Sequence, residues 1–220
     1  VLQLDSLIHG FVSEEDYKDL GYAYEKTFAL FAEYVYKKRH DFGSLFLGGG
    51  GYVLPRYMEN LYPKSHIQVA EIDPVVSLVN YENLFLSRDT SIITHNVDAR
   101  ILIQNNKDAL YDIIYADVFN DISVPYHLTT FEFNENIKKH LYVDGLYAVN
   151  IIDNYKKGQF LISYIHTLSR TFKYIYVFPL RQKWMERSGS RYTYVVLASE
   201  TPINNNALRE ANKKLVEIGV

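Results

Sequence analysis

At 220 residues, 48% hydrophobic and 22% charged, the chain can bury one sizeable core and has the balance of an ordinary globular protein. Its net charge of -3 argues against a nucleic-acid partner held by bulk positive charge. The absence of cysteine excludes disulfides, thiol nucleophiles and cysteine-held metals, and it fits a cytoplasmic setting.

No apolar run approaches the roughly 18 residues that a membrane helix needs, and no signal peptide is visible. The opening VLQLDSLI already alternates, as in the soluble part of a longer protein. Residues 1 to 10 read as a strand, with Asp5 and Ser6 near a turn. The acids Glu14, Glu15 and Asp16 suit a helix start, and Tyr17 to Arg39 reads as a long helix with Tyr24, Phe28, Phe31, Tyr34 and Val35 on one face. That aromatic face suits either a dimer contact or packing on the chain's own sheet. The basic run Lys37, Lys38, Arg39 reads as a solvated C-terminal cap.

Ser44 to Pro74 is the most informative stretch. Ser44 to Leu47 is a short apolar strand, broken by Gly48, Gly49, Gly50 and Gly51. Tyr52 to Tyr62 has helical spacing, and Ile67 to Ala70 is a second strand ending at Glu71. Glycines after a first strand let the backbone approach a ligand closely. An acid about twenty residues on is placed to hold two ribose hydroxyls. NAD, FAD and an adenosyl-sulfonium compound all fit this loop, and so does a tight turn without a ligand.

Asp73 reads as an N-cap, and Pro74 opens a helix to about Leu84 with Val75, Val76, Leu78 and Val79 inward. Ser91 to Thr94 is a third strand, followed by Asp98, Ala99 and a helix to about Asn106. Tyr111 to Asp117 is a fourth strand with an acidic end, Val118 to Pro125 a loop, and His127 to His140 a helix. A turn at Asp144-Gly145 leads to a fifth strand, Leu146 to Ile152, then a helix from Gly158 to Arg170. Tyr174–Phe178 and Tyr192–Ala198 read as a closing antiparallel pair, and Ala207 to Ile218 as a last helix. Arg181, Lys183, Arg187 and Arg191 around Trp184 read as a solvated loop.

Strands alternating with helices predict a doubly wound, mostly parallel sheet with an antiparallel edge strand. That pattern is common to class I S-adenosylmethionine-dependent methyltransferase-like folds, and it weakens the NAD and FAD readings. Ligands bind beyond the C-terminal strand ends of such sheets. Gly49, Glu71, Asp98 and Asp117 all fall there. Glu71 would hold ribose, Asp98 the adenine amino group with the Ala99 backbone on the ring edge, and Asp117 would face the cationic sulfonium. Asp98 also suits a plain helix cap and Asp117 a turn acid. The seven histidines show no metal-ligand spacing, and no Ser–His–Asp order is supported.

These residues resemble the spermidine synthase family, the polyamine aminopropyltransferases, from roughly Leu4 to Ser199. The resemblance is carried by FLGGGGYVLPRYM, VAEIDPVV, Asp98-Ala99, YDIIYADVF, VPYHLTTFEF and LYVDGLYAVN. The VPYHLTTFEF form looks most like the spermidine synthase-like branch, some of whose members carry an extra membrane segment. The resemblance implies a seven-stranded Rossmann-like sheet, decarboxylated S-adenosylmethionine, an amine acceptor, no metal and a homodimer. It assigns Asp117 as proton acceptor; Gly48, Gly49, Gly50, Gly51, Glu71, Ile72, Asp98, Ala99 and His9 to the cofactor; and Tyr24, Asn120 and Asp121 to the amine. It divides the chain into a strand-and-helix extension, 1–42, and a nucleotide-binding catalytic domain, 43–220.

Three departures stand out. Gly51 occupies the place of the family's loop acid in GGGDG. Asn120 replaces a second loop acid, with Asp121 directly after it. The amine-binding tyrosine–histidine–glutamate region reads Tyr24, Glu25, Lys26, and a lysine beside a dication is unfavourable. The adenosine half therefore looks intact and the amine half altered. A methyltransferase using S-adenosylmethionine, or a non-catalytic adenosyl-nucleotide-binding protein, remain the alternatives.

Overall fold

The computed structural model describes residues 1–4, 7–118, 124–154, 158–180 and 191–220, with backbone alone at 4 and 7–9. The first ten residues form a hairpin, β1 (Leu2–Leu4) against β2 (Leu7–Gly10). The first helix, α1 (Ala23–Tyr36), starts later than its acids suggest. Asp16 instead closes a turn, its carboxylate accepting the Lys18 N–H at 2.8 Å. Glu25 fixes the true start by reaching back to the Tyr22 N–H at 2.9 Å, one half of a capping box.

There follow β3 (Gly43–Leu47), α2 (Val53–Leu61), β4 (His66–Ala70), α3 (Pro74–Asn83), β5 (Ile93–His95), α4 (Ala99–Asn105) and β6 (Tyr111–Ala116). Beyond the undescribed 119–123 come a short 3-10 turn (Tyr126–Leu128), α5 (Phe131–Lys139), β7 (Leu141–Asn154), α6 (Phe160–Ser169), β8 (Tyr174–Leu180), β9 (Arg191–Ser199) and α7 (Asn205–Glu217). The seven strands β3 to β9 make one sheet in the order β5-β4-β3-β6-β7-β9-β8. It is parallel from β5 through β7, and β9 runs antiparallel to both its neighbours. The fold is the doubly wound α/β architecture read from the pattern of elements.

Alternation along the strands feeds two cores. In β6, Ile113 and Tyr115 point to the face covered by α1, α2 and α7, while Ile114 and Ala116 point to the face covered by α4, α5 and α6. The central strands are apolar on both sides because both faces are roofed. The aromatic face of α1 belongs to the first core: Phe28, Phe31 and Tyr34 are buried, and Phe31 packs edge-on to Phe178 at 5.3 Å.

Several expectations are corrected. The antiparallel strand is not at the edge. β9 is inserted between β7 and β8, filling the gap left when the α6 crossover skips one strand position. The turn at Asp144-Gly145 is a bulge within a longer β7, since Tyr111 pairs with Leu141 but Ile113 with Leu146. The helix expected over His127–His140 is split by Thr130, whose hydroxyl caps α5 by accepting the Phe133 N–H at 3.2 Å. Of the four apolar residues expected inward on α3, Val76 is buried and Val79 partly so, while Val75 and Leu78 are exposed; Ser77 and Asn80 are buried beside Val76. The basic run after α1 is paired, Lys37 with Glu210, Lys38 with Asp144, and Arg39 with the buried Asp112 at 2.7 Å. The cluster around Trp184 lies outside the described residues apart from Arg191. Among the described residues, no helix is long and apolar enough to cross a membrane.

Candidate active site

Backbone bonds just beyond the strand ends gather the expected acids along one sheet edge. Gly48 donates to the Ala70 carbonyl at 2.9 Å, Glu71 to His95 at 3.0 Å, and Asp117 to Leu47 at 2.9 Å. Each ladder thus runs one residue past its strand and delivers the next side chain to the same rim.

The glycine loop is built for close approach. Gly48 has φ +92, and a Cβ there would lie 2.2 Å from the Asp117 carbonyl oxygen. Only glycine fits that position. A Cβ on Gly49 would meet the Tyr52 ring at 2.6 Å. Tyr52 itself sits at φ 52, unusual for a large residue. It is fully buried, its hydroxyl 3.1 Å from Thr94 Oγ1 and 3.3 Å from Ser77 Oγ. Asn80 ties the loop down by donating to the Gly50 carbonyl at 2.7 Å. At Gly51, a side chain would first meet Val12 at 3.2 Å and then Gly10. The space of the expected loop acid is therefore covered by the N-terminal segment.

Glu71 is buried at the end of β4. Its Oε2 accepts the Gly49 N–H at 2.9 Å and its Oε1 the Asp73 N–H at 2.9 Å. Oε2 also accepts the Gly50 N–H at 3.4 Å, so three backbone bonds fix the carboxylate's orientation and, of its about four acceptor positions, leave one for a hydroxyl donor. Ile72 beside it is 66% exposed, an apolar surface next to the acid. Asp73 caps α3, as its place before Pro74 suggests.

Asp98 is the N-cap of α4, its Oδ1 accepting from Arg100 N at 2.8 Å and Ile101 N at 3.3 Å. The cap role weighed in the sequence is therefore formed. The other oxygen, Oδ2, pairs with His127 Nε2 at 2.9 Å. Burial opposes ionisation of Asp98, but His127 and the two N–H donors outweigh it and hold the carboxyl below its usual range. Ala99, the first residue of α4, is buried in the second core.

Asp117 is oriented by two groups. Asn150 on β7 donates from Nδ2 to its Oδ1 at 2.9 Å, and the Tyr24 hydroxyl hydrogen-bonds its carboxylate. Burial, then the charges of Asp117 and Glu25, push the Tyr24 hydroxyl well above its ordinary pKa, so it stays a donor. Tyr24 stacks on Tyr22 at 5.7 Å, and Tyr22 packs on Phe11 at 5.4 Å. This aromatic wall stands beside the acid.

Asn150 was not singled out by the sequence, and Glu25 entered it only as part of the altered amine-binding region Tyr24, Glu25, Lys26. Glu25 is only 3% exposed, and burial raises its carboxyl to about 8, opposed by the Tyr22 N–H and reinforced by Asp117. Lys26 points outward and is exposed, so the lysine expected beside a dication does not face the acids. Asn150 is buried inside a strand; the asparagine within an otherwise apolar run, YAVNII, was the available signal. His9 lies on β2 with its side chain outside the description, and Asn120 and Asp121 lie outside the described residues. Among the described residues, no three His, Asp or Glu side chains gather as a metal site.

No family model matches the sequence. The polyamine aminopropyltransferase of Vibrio vulnificus is 32% identical over 174 residues, covering 78% of this chain and 55% of that protein. In sequence the chain is similar to that polyamine aminopropyltransferase, and it spans little more than half the length of that relative. Its fold matches a probable spermidine synthase from Corynebacterium glutamicum with a TM-score of 0.76 at 22% identity, over 93% of this chain and 74% of that one. Human methyltransferase-like protein 13, solved with SAH, matches at a TM-score of 0.72 and 21% identity, over 88% and 90% of the two chains. At such identities the structural likeness speaks for the fold.

Proposed function

We propose that this chain transfers an aminopropyl group from decarboxylated S-adenosylmethionine to a small amine. The observation that carries the reading is the convergence of Glu71, Asp98 and Asp117 on one sheet edge around a side-chain-free glycine loop. The relative from Vibrio vulnificus, a polyamine aminopropyltransferase, points the same way.

The residues fit such a cofactor. Gly48 to Gly50 would present side-chain-free backbone to a nucleotide, and Glu71, already accepting the Gly49, Gly50 and Asp73 N–H groups, would take one ribose hydroxyl. Asp98 and Ala99 would face adenine, with Ile72 and Gly51 at the border; His9 is assigned to the cofactor by the resemblance alone. When bound, the cofactor supplies an electrophilic carbon beside a sulfonium. Tyr24 and Asn150 hold the Asp117 carboxylate in place. Asp117 binds the incoming ammonium, accepts its proton, and leaves a neutral nitrogen to attack in line. Alignment of the two reactants supplies much of the rate. The resemblance alone assigns Asn120 and Asp121 to the amine. The extension, 1–42, contributes Tyr24 to a site otherwise built from 43–220. A cytoplasmic homodimer, implied by the resemblance, completes this reading.

The test is formation of methylthioadenosine from decarboxylated S-adenosylmethionine with putrescine, cadaverine or agmatine. Turnover with at least one amine is expected, and Asp117→Asn should lower kcat about 10²- to 10⁴-fold while methylthioadenosine still binds. No product with any amine, or S-adenosylhomocysteine formed from the carboxylated cofactor, overturns the reading.

A further inference from the structure

We propose that His127 is a positioning residue for the nucleobase, and that by holding the Asp98 carboxylate it makes the site choose adenine over its oxo counterpart, hypoxanthine. This rests on the aminopropyl-transfer reading, in which Asp98 faces adenine, and adds a residue to it. Three observations carry it. First, the two oxygens of Asp98 have separate tasks. Oδ1 is spent on α4, accepting from Arg100 N at 2.8 Å and Ile101 N at 3.3 Å. Capping the helix needs nothing more. Oδ2 meets the His127 ring instead, with Nε2 at 2.9 Å. The side chains of Asp98 and His127 are 24% and 35% exposed, so a ligand can reach the pair. A carboxylate has about four acceptor positions, and these three donors leave one.

Second, the imidazole is not needed to hold its own segment. Arg100 donates from Nη1 to the His127 carbonyl at 2.6 Å and to Thr130 Oγ1 at 3.3 Å. The 3-10 turn is therefore tied to α4 through its backbone, and Thr130 caps α5. What the ring adds is a donor on the one Asp98 oxygen that α4 does not use. Third, that donor bears on the charge of Asp98. Burial opposes ionisation, and His127 is the foremost of the groups that overcome it, ahead of the Ile101 and Arg100 N–H groups.

The preferred base follows from the charge. An ionised carboxylate only accepts hydrogen bonds, whereas a protonated one also donates. The exocyclic amino group of adenine donates, so it suits the open position on Asp98. The oxo group of hypoxanthine sets lone pairs against lone pairs and finds no donor. A protonated Asp98 would donate to that oxo group, and the distinction would be lost. His127 closes this route by keeping the acid ionised and its Oδ2 an acceptor. A site built to hydrogen-bond one group rejects the analogue that lacks it.

Calorimetry tests this with methylthioadenosine and methylthioinosine, whose base carries oxygen in place of the amino group. His127→Phe keeps a ring beside Tyr126, whose centroid lies 5.8 Å away, but donates nothing. His127→Gln still donates to Asp98 through its amide. Wild type should prefer methylthioadenosine about tenfold or more. His127→Phe should cut that preference about tenfold, chiefly by weakening methylthioadenosine, and His127→Gln should keep most of it. Equal weakening of both nucleosides by His127→Phe marks a merely structural residue and overturns the inference. So does a glutamine that rescues nothing, or a wild type without preference. If His127→Phe does not fold, histidine side-chain NMR of wild type decides. The His127 Nε2–H signal should shift with methylthioadenosine and hold still with methylthioinosine, and the same response to both overturns the inference. A preference that follows His127 in a protein that turns over no amine keeps this inference and sinks aminopropyl transfer. Turnover with a preference that ignores His127 does the reverse.

Discussion

Glu25 shows what burial does to a carboxyl group. Burial raises its pKa from 4.5 to about 8, so its folded form binds a proton more tightly than its unfolded form. The linkage sign follows: its protonation favours folding fully below the unfolded value, and that contribution is lost as pH rises towards 8. Replacing it with glutamine removes the titration. Thermal melting of the two proteins from pH 5 to 9 should show Glu25→Gln gaining stability relative to wild type as pH rises, with the gap levelling off above about 8. A gap that stays constant across that range contradicts a buried, titrating Glu25. Asp98 has the opposite character. Its carboxyl is held low by His127 and the α4 N–H donors, so it stays ionised where Glu25 does not. Burial thus keeps one acid neutral where hydrogen-bond donors keep another charged.

At the scale of elements, the strand–loop–helix–strand unit sets the rim. Its order was legible because every signal in it is local: an apolar run, glycines, helical spacing, a second apolar run and an acid. Its tightest point is Gly48, where positive φ and the Asp117 carbonyl leave no room for a side chain. Gly48→Ala should therefore cost about 1–3 kcal/mol from the backbone conformation alone, and more from the clash, while pushing β3 away from β6. Urea unfolding monitored by tryptophan-independent far-UV signal measures it, and an unchanged midpoint would show that the loop is looser than drawn. What the sequence left hidden was non-local. Nothing near Val75 or Leu78 reveals that α3 turns the polar Ser77 and Asn80 inward with Val76 and leaves those two apolar side chains exposed. The insertion of β9 depends on which strand position the α6 crossover skips, and the burial of Glu25 depends on the end of β6, far away in the chain.

The seven-stranded sheet is roofed on both faces, and the candidate site lies along one rim of it. The extension is not an appendage in packing terms. Phe28 and Phe31 of α1 share a core with β6 and β9, and the hairpin closes over the glycine loop where Gly10 meets Gly51. That closure explains how the loop lacks an acid without leaving a gap, and how α1 is placed to bring Tyr24 and Glu25 to Asp117. On the proposed reading, rim, roof and extension would together bring a nucleotide and an amine face to face. The most direct measurement of this is a crystal structure of the chain with methylthioadenosine and putrescine. The account predicts the ribose on Glu71, adenine between Asp98 and Ala99, and an amine nitrogen on Asp117. Adenosine bound away from that rim, or an amine that leaves Asp117 untouched, would contradict it.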